Sequence, residues 1–237
     1  MKEPLSPLGL GLMCKPPRPG ATKTRLAASI GANLAARLSR AFLQDCAHAA
    51  REAAGQCNLK LMAFYRPADG CSELGEVLGP DWPLIHADAG DLGATMLTVL
   101  RQLEDTCPGG ALIMGADLPL IASADISEAA RCLRRGDARS VVMIPSVDGG
   151  YCLIGVRSVD TAAPMFAPMA WSTSSVLEET LARAAACGLT PTVLQPQRDI
   201  DDINDLDWLR EKLRSVSHGA QATRAALAAL PQTRAQG

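Results

Sequence analysis

The sequence is poor in aromatic residues, which make up only 3% of its 237 positions. Proteins that read single-stranded nucleic acids stack bases on aromatic side chains, so this scarcity argues against that function. A strong net charge is also missing, because the formal net charge is −2. A chain this close to neutrality is a poor non-specific binder of polyanions. We therefore expect any basic cluster to be a local binding site.

Paired cysteines and long apolar runs are absent as well. The eight cysteines stand far apart and form no CxxC pair, so we expect reduced thiols rather than a zinc site or disulfides. No run of 18 apolar residues occurs, and Pro4 and Pro7 interrupt the short apolar start. These absences predict a cytoplasmic protein without a membrane partner. The three scattered histidines favour no Ser/His/Asp or Cys/His mechanism, and only His86, at a predicted strand end, is kept in reserve.

Short apolar runs alternate with amphipathic stretches along the chain. Strands are predicted at 8–14, 59–65, 83–87, 110–117, 140–146, 151–157 and 190–196. Helices are predicted at 31–55, 90–105, 123–136, 172–188 and 204–215, and Ser175 and Glu178 have the spacing of a capping box. Strands joined by crossover helices form parallel sheets. The pattern predicts one α/β domain with a mostly parallel sheet over 8–215, followed by a loosely attached tail over 216–237.

The first candidate site is "KPPRPGATKTRL", which directly follows the first predicted strand. Its prolines and Gly20 hold the backbone in a bend. Its cations are Lys15, Arg18, Lys23 and Arg25. Cations gathered without carboxylate partners indicate a ligand that carries phosphate. A solvated basic loop is the alternative interpretation, and the spacing of a Walker A loop is absent.

A carboxylate and a glycine-rich bend follow two further strands, where parallel sheets bind their ligands. In "MGADLPL", Asp117 is placed to hold Mg²⁺ or Mn²⁺ that bridges to a diphosphate, with a turn or helix cap as the alternative. In "PSVDGGYCLIG", Gly149 and Gly150 permit close approach of a ligand, and Asp148 points into the bend. Taken alone, "DGG" is also a hairpin turn.

The last candidate segment is the aspartate-rich "RDIDDINDLDW". Some of its carboxylates are expected to cap the closing helix. Asp199 and Asp201 precede that helix and share one face of an extended segment by two-residue alternation. Either could supply a second metal ligand, and we expect Asp201 to do so.

Together these segments resemble a known family. The motifs are "KPPRPGATKTRL", "GDLGATM", "GADLP", "DGGYCLIG", "MAWSTSSVLEETLARAAACGL" and "DIDDINDL". Over roughly residues 9–212 they are similar, in this order, to the bacterial GT-A-like transferases labelled radical-SAM/selenodomain-associated transferase 1 or arsenosugar-biosynthesis glycosyltransferase. That family looks like a branch of the nucleotide-diphospho-sugar transferase superfamily. The last motif departs from the family pattern, since Asp202, Ile203 and Asn204 stand where Thr, Pro and Glu are common.

The resemblance implies a single GT-A-like (Rossmann-like) domain that uses a nucleotide and a divalent metal. It implies that Lys15, Lys23 and Arg25 contact the nucleotide phosphates, and that Asp117 and Asp201 bind the metal. Asp117 and Asp148 are the expected catalytic carboxylates. The acceptor side would be shaped by Asp148, Gly149, Gly150 and Tyr151, and lined by the stretch "AWSTSS" with Trp171, Ser172 and Thr173.

Three functions remain open from the sequence. The first is glycosyl transfer from a nucleotide-diphospho-sugar to a small-molecule acceptor, with Mg²⁺ or Mn²⁺ and the cations stabilising the leaving nucleoside diphosphate. The second is nucleotidylyl transfer from a nucleoside triphosphate to a phosphorylated acceptor, because "ADLP" is also similar to guanylyltransferases that activate 2-phospholactate. The third is a nucleotide-binding module without catalysis. The oligomeric state is left open.

Overall fold

The computed structural model describes residues 6–171 and 173–229. In this part of the chain seven strands form one sheet in the order β3-β2-β1-β4-β6-β5-β7, in which β6 runs antiparallel to both neighbours and all other pairs are parallel. The strands are β1 Leu8–Cys14, β2 Leu59–Tyr65, β3 Leu84–His86, β4 Ala111–Gly115, β5 Ser140–Pro145, β6 Tyr151–Val156 and β7 Thr190–Val193. The predicted α/β class with a mostly parallel sheet is confirmed.

Helices cover both faces of the sheet. They are α1 Thr24–Ile30, α2 Ala32–Cys57, α3 Cys71–Leu78, α4 Leu92–Thr106, α5 Ser123–Arg135, α6 Val159–Ala162, α7 Val176–Ala186, α8 Ile203–Ser215 and α9 Gln221–Ala228. Short 3₁₀ helices lie at Ala68–Gly70 and Ala163–Phe166. None of the helices in the described part of the chain has both the length and the apolar character needed to cross a bilayer.

The alternation of leucine and glycine in β1 explains how two helical layers fit around the central strand. Leu8, Leu10 and Leu12 are fully buried on the face covered by α2, α3 and α5. The opposite face carries Gly9 and Gly11, and a Cβ at Gly9 would lie 2.9 Å from the Cβ of Leu103 in α4. Because a larger residue would collide there, α4 packs directly against the backbone of β1.

The sequence predicted all seven strands but not every helix boundary. The strands at 8–14 and 59–65 have the predicted bounds, whereas α1, α3, α6 and α9 were not predicted. The predicted capping box at Ser175 is wrong, because Ser175 has an α-helical backbone conformation and makes no capping bond with its side chain. Its hydroxyl oxygen lies 3.0 Å from that of Thr173 instead.

Part of the segment predicted to be a loose tail forms α9, which packs against α2. The carboxylate of Asp45, on α2, accepts hydrogen bonds from the backbone N–H groups of Ala222 and Thr223, both at 2.9 Å. This carboxylate satisfies two of the free N–H groups at the start of α9. Ala220 and Thr223 are buried beside α2. The predicted tail residues 230–237 lie outside the described residues.

Replacement of Asp45 by alanine should lower stability without changing the sheet. The variant loses two charge-assisted bonds at a buried position, so we expect a loss of about 1–3 kcal/mol in the free energy of unfolding. Urea unfolding followed by circular dichroism measures it. Glu52→Ala is the matched control, since Glu52 lies on the same helix in an exposed pair with His48. Equal stabilities of the two variants would show that α9 is not held by Asp45.

Candidate active site

The sheet topology brings the predicted site residues to one edge. Parallel strands β1, β2, β4 and β5 end there, and antiparallel β6 begins there. Lys15 therefore follows β1, Arg66 follows β2, and Asp117 lies two residues beyond β4. The start of β6 places Tyr151 at the same edge.

Two clefts lie side by side at this edge. The first, here called the basic cleft, has a volume of about 400 Å³ and is lined by the cations Lys15, Lys23, Arg25 and Arg66. Its walls include the buried aromatic side chains of Phe64 and Tyr65. The second, here called the acidic cleft, has a volume of about 310 Å³ and is lined by the carboxylates Asp117, Asp148 and Asp199 above an apolar floor. The floor includes Met96, Ile113, Met114 and Ile154.

Asp117 lines both clefts and marks their boundary. Oxygen atoms of Asp117, Asp199 and Asp201 all lie within 4.8 Å of one another. Two hydrogen bonds hold the segment that carries Asp199 and Asp201. The N–H of Ile200 donates to the carbonyl oxygen of Asp117 at 3.1 Å, and the hydroxyl of Ser146 donates to Asp199 at 2.5 Å.

In the aspartate-rich segment some carboxylates join the cluster and others cap α8, as the sequence predicted. Asp199 and Asp201 contribute to the cluster. Asp202 caps α8 by accepting from the N–H groups of Asn204 and Asp205. The carboxylate of Asp205 accepts a hydrogen bond from the N–H of Asp202, which completes a capping box.

Lys23 connects the basic bend to this cluster. Its ammonium lies 2.9 Å from Asp117 Oδ2 and 2.5 Å from Asp201 Oδ1, and only 10% of its side chain is exposed. Burial alone lowers the pKa of Lys23, but the two carboxylates outweigh burial and hold this pKa above its usual value. Lys23 also has a left-handed backbone conformation, with φ of 50°, which is strained for a residue with a Cβ. The ion pairs therefore hold Lys23 in an otherwise unfavoured conformation.

Among the carboxylates of the site, Asp199 is the one whose ionised form is most clearly disfavoured. Burial raises the pKa of Asp199 to about 6, the hydrogen bond from Ser146 opposes this change, and the charges of Asp117, Asp148 and Asp201 add to it. Removal of its charge should relieve part of the repulsion among these groups.

Most of the acceptor-side residues predicted from the resemblance line the acidic cleft, but Gly149 is not among its lining residues. Asp148, Gly150, Tyr151, Trp171 and Thr173 are all lining residues. Within the turn, the carboxylate of Asp148 accepts from the N–H of Gly150 at 3.0 Å. Burial raises the pKa of the Tyr151 phenol, which therefore stays protonated near neutral pH. The predicted residue Ser172 lies outside the described residues.

Gly149 joins the "DGG" turn to the stretch before α7. Its φ is 94°, and a Cβ would lie 2.1 Å from the carbonyl oxygen of Ser174. Its own carbonyl oxygen accepts from the N–H of Leu177 at 2.9 Å. The turn is thus both the hairpin between β5 and β6 and a wall of the acidic cleft.

Two residues of the basic bend do not reach the cleft. Arg18 was expected to bind phosphate, but its guanidinium pairs with Glu73 at 2.8 Å and with Asp69 at 2.9 Å. Because Asp69 and Glu73 lie outside the bend, their ion pairs with Arg18 fasten the bend to α3 and to the short helix before it. Gly20 does not line the cleft and supplies only a turn, with φ of 78°. Lys15 and Arg25 are exposed, and neither makes an ion pair with another described residue.

Sequence reasoning missed Arg66 as a cation of the basic cleft. Its position directly after β2 is the signal that could have found it, because the same rule selected Lys15 and Asp117. The nearest carboxylate oxygen to its guanidinium, on Asp88, is 4.0 Å away. His86 makes an edge-on contact with the ring of Tyr65 and lines neither cleft, so the structure gives it no role here.

Replacement of Gly149 by alanine should destabilise the protein and disturb the acidic cleft. The clash with Ser174 and the positive φ are expected to cost about 2–4 kcal/mol together. Gly188→Ala is the matched control, because Gly188 also has a positive φ but open space around its Cβ position. Thermal unfolding compares the two. A Gly149 variant as stable as the Gly188 variant would contradict the close contact.

Replacement of Asp199 by asparagine should stabilise the metal-free protein at pH 8. The folded wild type has a raised pKa at Asp199, so it binds more protons than the unfolded chain between about pH 4 and pH 6 and loses stability as the pH rises. The asparagine keeps an acceptor for Ser146 without this loss, so its advantage should shrink at pH 5. Urea unfolding in EDTA at both pH values measures the difference.

Asp207→Asn is the control for this comparison, because Asp207 is an exposed aspartate in a surface pair with Arg210. We expect little change from it at either pH. An Asp199→Asn variant that is less stable than the wild type at pH 8 would contradict the assignment of Asp199 as a strained carboxylate.

Comparison with known proteins supports the fold and identifies the family. A protein from Desulfovibrio desulfuricans G20, described as a proposed nucleotide-diphospho-sugar transferase, superposes with a TM-score of 0.84 at 26% identity over 94% of each chain. A cytidylyltransferase from Leptospira borgpetersenii serovar Hardjo-bovis (strain JB197) gives a TM-score of 0.59 at 11% identity over 94% of this chain and 93% of the other. The sheet and helices are therefore those of the nucleotide-diphospho-sugar transferase fold.

A curated relative is the phosphoenolpyruvate guanylyltransferase of Roseiflexus sp. (strain RS-1), which is 32% identical over 127 residues. The match covers 52% of this chain and 54% of the relative, so it spans about half the length of each. A family model for bacterial proteins matches residues 49–173, which include Asp117, the "DGG" turn and Trp171. The chain therefore belongs to the family described as uncharacterized proteins conserved in bacteria, DUF2064.

Proposed function

We propose that this protein is a metal-dependent transferase that moves a glycosyl group from a nucleotide-diphospho-sugar to a small-molecule acceptor. The observation that carries the proposal is the separation of charge across Asp117. In the cleft on one side of it four cations outnumber the carboxylates of Asp117 and Asp201, and in the cleft on the other side all the charged lining residues are carboxylates. A nucleotide diphosphate fits the first cleft, and its transferable group would then meet an acceptor in the second. Every residue to which the proposal gives a role lies within the predicted domain, 8–215.

The basic cleft would hold the nucleotide. Exposed Lys15 and Arg25 are free to bind phosphate oxygens, and Arg66 lines the same cleft. The apolar surfaces of Phe64, Tyr65 and Leu43 offer a wall for the nucleoside. When the bond from the sugar to the phosphate breaks, negative charge grows on the leaving nucleoside diphosphate. Cations fixed at that position stabilise this charge.

The aspartate cluster fits a hard divalent cation. Mg²⁺ binds oxygen ligands at about 2.0–2.1 Å and is commonly held by carboxylates together with substrate phosphates. The oxygens of Asp117, Asp199 and Asp201 are close enough to share one ion, so we assign these residues as its holders. When bound, Mg²⁺ or Mn²⁺ would neutralise charge on the diphosphate.

Lys23 already forms ion pairs with two of these carboxylates in the structure. A divalent cation would therefore compete with its ammonium for Asp117 and Asp201. A nucleotide phosphate in the adjoining basic cleft would offer the ammonium another partner. We infer that Lys23 exchanges carboxylate for phosphate as the donor binds.

Asp148 would accept the proton of the acceptor. The acceptor hydroxyl forms a new bond to the anomeric carbon as the bond from that carbon to the phosphate oxygen breaks. The hydroxyl proton passes to a carboxylate, and the electron pair leaves with the nucleoside diphosphate. Asp148 is exposed on the rim of the acidic cleft and can return this proton to water.

Nucleotidylyl transfer is the second candidate, and the curated guanylyltransferase relative favours it. In that reaction a phosphorylated acceptor attacks the α-phosphate of a nucleoside triphosphate, and pyrophosphate leaves. The same cations and metal would serve both reactions, so the released product distinguishes them. A nucleotide-binding module without catalysis would release neither product. For any of the three we place the protein in the cytoplasm, in line with its eight free cysteines.

Replacement of Asp117 by asparagine tests the proposal. The wild type should release nucleoside diphosphate from a nucleotide-sugar when Mn²⁺ or Mg²⁺ is present, and the variant should lose at least about a hundredfold in turnover because a ligand shared by both clefts is lost. Chromatography of the released nucleotide measures both. Donors are chosen first by a thermal-shift screen, since binding to the folded state raises Tm.

Asp105→Asn is the control, because Asp105 is exposed on α4 and lines neither cleft. Turnover of this control should equal that of the wild type. Pyrophosphate in place of nucleoside diphosphate would make the protein a nucleotidylyltransferase. Unchanged metal-dependent turnover in Asp117→Asn would remove Asp117 from the site.

A further inference from the structure

The acidic cleft contains no basic residue to receive an anionic acceptor. Its charged lining residues are Asp117, Asp148 and Asp199, and no lysine, arginine or histidine of the described chain lines it. The basic cleft beside it is lined by four cations. The charge of the second cleft is thus opposite to that of the first.

The uncharged groups of the acidic cleft suit a molecule with hydroxyls on an apolar body. Tyr151, Thr173 and Ser146 line the cleft. The hydroxyls of Ser146 and Thr173 donate to Asp199 and to the carbonyl oxygen of Ala170, which leaves their oxygens as acceptors, and burial keeps the Tyr151 phenol protonated near neutral pH by raising its pKa. The indole of Trp171 and the side chains of Met96 and Ile154 supply apolar surface. Hydroxyls and apolar surface together are typical of a site for an uncharged ligand.

A phosphorylated acceptor would bind poorly in such a cleft. A phosphate monoester carries nearly two negative charges at neutral pH and needs cationic donors to replace its water. Even with a divalent cation at the aspartate cluster and the ammonium of Lys23 beside it, the four carboxylates of Asp117, Asp148, Asp199 and Asp201 leave a local excess of negative charge. Lys23 lies at the border, but two of those four aspartates, Asp117 and Asp201, already hold it.

We propose that the acceptor of this transferase is an uncharged, hydroxyl-bearing small molecule with apolar surface, and that phosphorylated or carboxylated acceptors are rejected by the acidic cleft. This inference rests on the proposed function and specifies the substrate class of its second cleft. It also separates the two candidate reactions, because the nucleotidylyltransferase requires an acceptor that carries phosphate.

The electrostatic potential in the acidic cleft can be measured without knowing the acceptor. Thr173 is exposed and lines the cleft, so Thr173→Cys places a reactive thiol inside it. The variant is treated with two methanethiosulfonates, one bearing a trimethylammonium and one a sulfonate, and peptide mass spectrometry gives the labelling rate at residue 173. Cys152 in the same cleft should stay unlabelled, because it is buried and burial raises its pKa to about 12.

The control is Thr190→Cys, on exposed edge strand β7 away from both clefts. We expect the cationic reagent to react at least about fivefold faster than the anionic one at residue 173, relative to the ratio at residue 190, and the preference to fall in 1 M salt. Asp148→Asn in the same background should lower the ratio. Faster labelling of residue 173 by the anionic reagent would overturn the inference.

A turnover experiment separates this inference from the proposed function. GTP and Mg²⁺ are incubated with the wild type and phosphoenolpyruvate, and we expect no pyrophosphate above the level without acceptor. Pyrophosphate that depends on phosphoenolpyruvate would overturn both the glycosyl transfer and the neutral acceptor. Release of nucleoside diphosphate from a nucleotide-sugar that is faster with phenyl glucoside 6-phosphate than with phenyl glucoside would overturn the acceptor class alone and leave glycosyl transfer standing.

Discussion

The ion pairs of Lys23 with Asp117 and Asp201 hold the candidate site together. They join three parts of the chain that are far apart in sequence: the bend after β1, the exit of β4 and the segment before α8. Without the ammonium, the carboxylates would face one another in a partly buried cluster, where like charges repel more strongly than in water. The same contacts keep Lys23 in its left-handed conformation. A single side chain thus connects the basic bend to the aspartate cluster and offsets part of the cluster's negative charge.

That arrangement explains how an acidic site could also receive the phosphate ligand that we propose. Asp117 stands at the boundary, and the cations lie on the β1 and β2 side of it, while Asp148 and Asp199 lie on the β5 and β6 side. The antiparallel strand β6 makes this possible, because its beginning, rather than its end, lies at the ligand-binding edge. The "DGG" turn that reverses the chain before β6 can then form a wall of the second cleft.

Much of this was predictable from the sequence because the signals were local. The apolar run "LGLGLMC" predicted β1 with its bounds. The two-residue alternation predicted that Asp199 and Asp201 share one face, and in the structure their oxygens lie within 4.8 Å of each other. The ion pairs of Arg18 were not predictable in the same way. Its partners lie 51 and 55 residues away in sequence, and no pattern within the bend distinguishes it from Arg25. The same limit applies to α9, whose start is capped by Asp45 some 177 residues earlier.

The two candidate reactions make the same demands on one cleft and different demands on the other. Both require cations for a nucleotide's phosphates and carboxylates for a divalent cation, so neither the basic bend nor the aspartate cluster can decide between them. They differ in the charge of the acceptor. In the proposed arrangement the residues around Asp148 and Tyr151 would contact the acceptor and so would have to suit its charge. The family match at residues 49–173 includes both of these residues and leaves the basic bend and Asp201 outside. With the acceptor in the acidic cleft, as we propose, the lack of cations among the described residues that line this cleft is the physical reason to favour a neutral hydroxyl over a phosphate as the attacking group.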